Sequence, residues 1–228
     1  MSKPLFSIIT VTLNAQKYIN DNFNSMDCQK GEQDWEQIIW DGGSTDNTLD
    51  ICKKRPNIKV IQGSDQGIAD AMNKAVLHAK GKFILFLHAD DFLSCDQTLS
   101  FSRNFILSHP DSLWLYGIGE TVDAEGCVLK KDSFSSQIHK KLKRYNVFSH
   151  PSVLMNRDFF EQLGGFDISL KYCMDYDLWL RAAQKTIPIA MPFTIGKFRE
   201  HQGSLSSSQK LAVTEEAFLV RQCYTNSL

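Results

Sequence analysis

Short apolar runs alternate with polar, glycine-containing segments through the first part of the chain. Leu5–Leu13 is apolar and β-branched and predicts a buried strand, ended by Asn14. A helix is expected over Ala15–Asp27, then a second strand, Trp35–Trp40, running into Asp41-Gly-Gly-Ser-Thr-Asp-Asn-Thr48. Ser44 or Thr45 is placed to cap the helix that carries Leu49, Ile51 and Cys52. Ile58–Ile61 reads as a third strand. Asp65–Lys74 reads as a glycine-containing turn entering a helix that runs to about Lys80. Phe83–Leu87 is an uninterrupted apolar run, the pattern of a strand buried on both faces of a parallel sheet. Four strands joined by three helices predict parallel crossovers with the ends at Asn14, Asp41 and Asp90 on one sheet edge.

The second half is less periodic. Gln97–Ser108 reads as a helix, Leu113–Tyr116 and Gly117–Val122 as two strands, and Asp123–Gly126 as a hairpin turn. Ser149–Met155 is strand-like, and Arg157–Leu163 is a short helix stopped by Gly164-Gly165. Asp175–Ala183 is amphipathic, Ile187–Ile195 strand-like, Ser204–Ser208 a loop and Gln209–Gln222 a last helix. No repeat or linker appears. One α/β domain over residues 1–228 is expected, its more regular half about 1–93 and its less regular half about 94–228.

Composition narrows the class. The 228 residues carry a formal net charge of -1, so no general electrostatic case for nucleic acid exists. The basic cluster His139–Arg144 is local. It reads as a solvated helix face, or alternatively as contact with an anionic lipid-linked substrate or the membrane surface. The six cysteines form no CxxC pair, which points to scattered thiols in a reducing cytoplasm. Met1–Ser7 enters a strand pattern directly, without the long apolar region of a signal peptide, and no run approaches transmembrane length.

Candidate chemistry lies where strands end, since ligands of open α/β sheets bind beyond the carboxyl ends. Asp90 and Asp91 are paired hard oxygen donors suited to Mg²⁺ or Mn²⁺; strand-breaking and capping is their plainer role. Asp41 is placed to accept an N–H of a uracil base, or simply to form a turn. Asp175, at a helix start, reads as a base or as a cap, and Asp177–Arg181 as an ion pair. His150 and Gly165 read as acceptor-cleft or as structural residues, His201 as a ligand on a closing loop or as a surface residue, and Trp40 and Trp179 as core.

In order along the chain, Ile9–Asn14, Asp41–Thr48, Asp65–Lys74, His88-Ala-Asp-Asp91 and Met174-Asp-Tyr-Asp-Leu-Trp-Leu-Arg181 resemble the motifs of the family 2 glycosyltransferases. The last two stand for the family's Asp-x-Asp-like segment and its acceptor-side Glu-Asp motif. The sub-pattern is similar to bacterial transferases of O-antigen, capsule or colanic-acid-type polysaccharide. The chain departs from the family at His88, Leu13 and Met174, where an Asp, a Tyr and a Glu are usual.

The resemblance implies a GT-A fold: a mostly parallel Rossmann-like sheet, helices on both faces and a small additional acceptor-side sheet. It also makes about 1–93 the nucleotide-sugar-binding half and about 94–228 the acceptor-binding half. It implies inverting transfer from a nucleotide-sugar, a UDP-sugar in the first instance, to a glycan or lipid-linked acceptor, with a divalent cation (Mn²⁺ or Mg²⁺). Thr12, Asn14, Asp41, Gly67, Asn73, Lys74 and Asp90 are then the expected nucleotide-sugar contacts, with Asp90 on the ribose or a water. Asp91 and His201 are the expected metal ligands, Asp175 the base, and His150 and Gly165 acceptor contacts. The expected location is the cytoplasm, at the inner face of the membrane. No Gly-x-Gly-x-x-Gly follows the first strand, which argues against a dinucleotide-dependent oxidoreductase. The basic, glycine-rich loop of a nucleotidyltransferase is absent too, whereas a non-catalytic sugar-nucleotide-binding or scaffolding subunit remains an open alternative.

Overall fold

A computed structural model describes residues 3–135, 137–204 and 208–225. The first half follows the apolar runs closely: β1 (Phe6–Thr12), α1 (Ile19–Asp27), β2 (Trp35–Asp41), α2 (Thr48–Lys53), β3 (Ile58–Gln62), α3 (Ile68–Val76) and β4 (Phe83–Phe86). β1 pairs in parallel with both β2 and β4, and β2 in parallel with β3. Alternation along the strands separates two cores. Ile9, Ile84 and Phe86 face α3, Met72 and Trp179, while Phe6, Ile8, Phe83 and Leu85 face Leu99 and Ile106 of α4 (Thr98–Ser108). Trp40 and Trp179 belong to the first of these cores, as the pattern predicts.

β5 (Phe92–Leu93), β6 (Trp114–Val122), β7 (Val128–Lys131), β8 (Val153–Asn156) and β9 (Ile189–Arg199) complete the strands. The acceptor-side strands are hydrogen-bonded onto the same sheet, in the order β3-β2-β1-β4-β8-β6-β9-β5, with β7 on β6. β8 is antiparallel to both β4 and β6. The two strands expected around Gly117 are one. A side chain at Gly117 would meet Ile195 Cγ1 at 2.2 Å, so glycine here admits the neighbouring β9 at an irregular register rather than ending the strand. The strand expected from Ser149 begins with a 3₁₀ turn, His150–Ser152, because Pro151 cannot donate to a ladder.

The remaining helices are α5 (Ile138–Leu142), α6 (Arg157–Gln162), α7 (Met174–Lys185) and α8 (Lys210–Thr225). α1 starts later than expected, after a turn at residues 16–18. α2 is not capped by Ser44 or Thr45; the Thr48 N–H and hydroxyl both donate to Asp46 Oδ1. The expected loop Ser204–Ser208 lies partly outside the described residues. Among the described residues no helix is long and apolar enough to cross a membrane.

Candidate active site

The carboxyl ends of β1 and β4, the start of α7, α5 and the segment after β9 border one cleft of about 1260 Å³. On one side of it lie Thr12, Asn14, Tyr18, Gly42, Asp65, Gly67, His88 and Asp90. Asn14 takes a left-handed backbone (φ 54°), and its Oδ1 accepts from the Thr45 N–H at 2.9 Å, which ties the β1 end to the β2 loop. Asp41 sits beneath this surface and is fully buried. Its Oδ1 accepts from the N–H groups of Gly43 and Ser44, and its Oδ2 from the hydroxyls of Thr12 (2.9 Å) and Ser44 (2.6 Å). The carboxylate expected to meet a base is thus fully engaged by its own loop.

Asn73 and Lys74, expected as nucleotide contacts, are turned elsewhere. Asn73 forms two hydrogen bonds with the backbone of Phe166, at 2.9 and 2.8 Å. Lys74 Nζ is bound to the Ser64 carbonyl and to Asp70, both at 2.8 Å. Gly165 adopts φ 72°, and a side chain there would come within 2.7 Å of Asn73 Oδ1. It shapes the turn that Asn73 holds and lies outside the cleft lining.

The adjacent carboxylates after β4 point in different directions. Asp90 lines the cleft, and its Oδ2 lies 3.0 Å from His201 Nε2. Asp91 is fully buried. Its Oδ1 accepts from the Arg199 N–H at 3.0 Å and its Oδ2 has no hydrogen-bond partner among the described residues. Burial, then the Asp90 charge, push the Asp91 carboxyl well above the usual range. Arg199 fixes this arrangement by donating from Nε to the Asp90 carbonyl at 3.0 Å and from Nη2 to Asp21 at 2.6 Å. Nothing in the sequence pattern singles it out.

No group of three or more His, Cys, Asp or Glu suited to a metal occurs among the described residues. Asp90 and His201 nevertheless form a two-donor site open to the cleft. With their donor atoms 3.0 Å apart and both side chains lining the cleft, they are the residues that could hold a divalent ion, which usually completes its shell with phosphate and water. A carboxylate with an imidazole suits Mn²⁺ better than Mg²⁺. His201 Nδ1 accepts the Gly203 N–H at 3.1 Å, so the ring proton sits on Nε2, facing Asp90. Ligation through Nε2 would move that proton to Nδ1 and release Gly203.

Elsewhere on the cleft wall, Asp175 opens α7 and borders the cleft with 14% of its side chain exposed. The Tyr176 N–H (2.6 Å) and Asn146 Nδ2 (2.9 Å) donate to its two oxygens. Burial outweighs these bonds and raises the carboxyl to about 6. His150 Nδ1 stands 3.8 Å from Asp175 Oδ2, and its buried Nε2 has no partner among the described residues. The His88 and His150 rings lie 4.8 Å apart. Burial lowers both, His150 well below the usual histidine range, so both are neutral at pH 7. Asn146, which orients Asp175, carries no sequence signal beyond being an isolated polar residue before Val147-Phe148. Asp177 is instead paired with Arg181, Nη2 to Oδ2 at 2.6 Å, as its i,i+4 spacing predicts.

Comparison with known proteins fits this geometry. The chain is 29% identical over 232 residues to a PGL/p-HBAD biosynthesis glycosyltransferase of Mycobacterium bovis (strain BCG / Pasteur 1173P2), covering 97% of this chain and 85% of that one. It is 27% identical to the putative teichuronic acid biosynthesis glycosyltransferase TuaG of Bacillus subtilis (strain 168), over 96% of this chain and 88% of TuaG. Its fold matches S. aureus TarS 1–349, crystallised with UDP-GlcNAc, with a TM-score of 0.76 at 24% identity, over 94% of this chain but only 65% of that one. The family model described as Glycosyl transferase family 2 matches residues 7–164, which leaves Asp175, His201 and α8 beyond the matched region. With more than half of its length matched and with this sheet, the chain is a GT-A protein that belongs to glycosyl transferase family 2.

Proposed function

We propose that this chain is an inverting transferase. It would move a sugar from a nucleotide-sugar, with UDP-sugars the favoured class, to a hydroxyl of a glycan or lipid-linked acceptor of cell-surface polysaccharide. The observation that carries this reading is the single cleft with the Asp90–His201 pair on one side and a carboxylate of raised proton affinity, Asp175, on the other. The UDP-GlcNAc of the TarS complex and the teichuronic acid biosynthesis in the name of TuaG support the donor and product class.

Asp175 is the base in this reading. Its carboxylate accepts the acceptor's hydroxyl proton while the oxygen attacks the anomeric carbon. The carbon–oxygen bond to the diphosphate breaks on the opposite face, so one displacement inverts the centre. A carboxyl at about 6 is ionised at neutral pH yet more basic than an ordinary Asp, as a general base requires. Asn146 holds it toward the cleft. Asp90 and His201, rather than Asp91, are the residues placed to hold a divalent ion; such an ion would neutralise charge developing on the leaving diphosphate. Asp91 supports the turn through Arg199. Thr12, Asn14 and Gly67 face the nucleotide, and Asp41 supports them from below. His150 faces the acceptor, while Asn73, Lys74 and Gly165 hold the surrounding loops.

Lys141 and Tyr145 line the acceptor side beside Asn146, and Lys140 and Arg144 are exposed next to them. This basic edge fits an anionic, lipid-linked acceptor and work at the inner face of the membrane. Calorimetric titration with UDP, with and without Mn²⁺, tests the donor side. Binding strengthened by Mn²⁺ is expected, and the absence of any nucleotide binding would leave only a scaffolding role.

A further inference from the structure

α8, which borders the cleft through Val213 and Ala217, grips the start of α7 through Glu216. The Glu216 carboxylate accepts three successive backbone N–H groups: Lys171 on Oε1 at 2.9 Å, and Tyr172 and Cys173 on Oε2, both at 2.6 Å. These residues lead into α7, whose first helical bond runs from the Asp177 N–H to the Cys173 carbonyl at 3.0 Å. The Cys173 thiol in turn donates to the Val213 carbonyl of α8 at 3.4 Å. Farther along α8, the Tyr224 hydroxyl donates to Asp177. Tyr172 to Tyr176 line the cleft, but Glu216 does not. Glu216 is half-buried and has no ion-pair partner among the described residues, so its charge is directed at these three amides, in hydrogen bonds stronger than neutral ones. What it secures is the backbone two residues before Asp175.

We infer that Glu216 is a positioning residue for the base: it fixes where α7 begins, and through that turn it aims the Asp175 carboxylate into the cleft. This inference rests on the reading of Asp175 as base. Its second consequence is electrostatic. The Glu216 charge adds to burial in raising the Asp175 carboxyl. Other titratable groups around Asp175 include His150 at 3.8 Å with His88 behind it, Cys173, whose thiol burial pushes up to about 12, and, on α7 itself, Tyr176 and the Arg181-paired Asp177; Lys141 of α5 lines the same cleft. Burial lowers both imidazoles and pushes up the thiol, so none of the three carries a charge beside Asp175 at neutral pH. Removing the Glu216 charge therefore changes the field at Asp175.

The test needs no donor or acceptor. The Asp175 carboxyl resonance, assigned by its loss in Asp175→Asn, is followed by ¹³C NMR over pH 4–8 in the wild type and in Glu216→Gln. Amide hydrogen exchange is read at Tyr172–Asp177, and UDP affinity with Mn²⁺ serves as the control of fold and donor site. Glu216→Gln keeps the shape but removes the charge and one acceptor oxygen. Expected are a midpoint below that of the wild type by several tenths of a pH unit, exchange faster by about tenfold, equivalent to about 1.4 kcal/mol of lost local stability, and UDP affinity within a factor of two (about 0.4 kcal/mol). Unchanged midpoint and exchange would overturn the inference. Faster exchange alone, with the midpoint unmoved, would also overturn it, since it marks a merely structural clamp. If Glu216→Gln does not fold, Glu216→Asp, which retains the charge but withdraws it, is read in its place: faster exchange with a smaller fall in midpoint supports the positioning role, and wild-type values refute it. Failure of the base itself appears separately, as undiminished transfer by Asp175→Asn.

Discussion

Replacing Asp175 by Asn should make the protein more stable at neutral pH while disabling it. The ordinary carboxyl value of 3.8 is raised to about 6 in the fold, chiefly by burial. Between those values the folded state holds more of this proton than the unfolded chain, so stability falls as pH rises through the window and stays low above it. At about 1.4 kcal/mol per pH unit the gap amounts to an upper limit of about 3 kcal/mol. Asn removes the charge and with it this penalty. It also replaces one acceptor oxygen with a donor that cannot accept from Asn146 Nδ2 or the Tyr176 N–H, a loss of about 1 kcal/mol. The net gain is about 1–2 kcal/mol, and in a chain of this size about 1 kcal/mol moves Tm by about 2–4 °C. Scanning calorimetry of both proteins at pH 4, 5, 6, 7 and 8 should show the variant melting about 2–8 °C higher at pH 7–8, with the advantage gone at pH 4. A difference that does not vary with pH, or a variant less stable at pH 8, would refute the assignment of a strained, ionised Asp175.

Other outcomes follow from the same geometry. Asp90→Asn should abolish the strengthening of UDP binding by Mn²⁺ in calorimetry, whereas Asp91→Asn should retain it; the reverse pattern would place the ion on Asp91. Gly165→Ala combines φ 72° with a 2.7 Å contact to Asn73 Oδ1 and should cost about 1–3 kcal/mol in a denaturant melt, with UDP affinity unchanged. Lys140→Gln with Lys141→Gln should weaken binding to anionic phosphatidylglycerol vesicles by about 30-fold at low salt and leave UDP affinity alone, since about 1 kcal/mol is expected per basic residue at such a surface.

The parallel half of the sheet was legible because its strands are buried on both faces and read as plain apolar runs: Ile8–Ile9, Ile38–Ile39 and Phe83–Leu87 need no knowledge of their partners. The antiparallel half was not, because the pairing of β8 with β4 and β6 joins residues far apart in sequence. Gly117 shows the difficulty. Read locally, a glycine ends a strand; in three dimensions it is the place where β9 approaches. The site was legible at the level of segments and opaque at the level of single side chains. His88–Asp91 marks the right strand end, but which of two adjacent aspartates meets the cleft depends on the turn that Arg199 stabilises from β9. Asp41 occupies the expected strand end and turns inward, because Thr12 and its own loop supply four donors. Asn146 and Glu216, which flank Asp175, sit 29 and 41 positions from it, with no periodicity to betray them.

The most direct measurement is the rate of sugar transfer by Asp175→Asn, on a sample whose UDP affinity has been shown to match the wild type, with the acceptor that the wild-type enzyme uses. A fall of about 10² to 10⁴ in kcat is expected, together with a wild-type kcat/KM profile whose acid limb lies near 6. Transfer by Asp175→Asn within a few-fold of wild type would contradict the role given to Asp175.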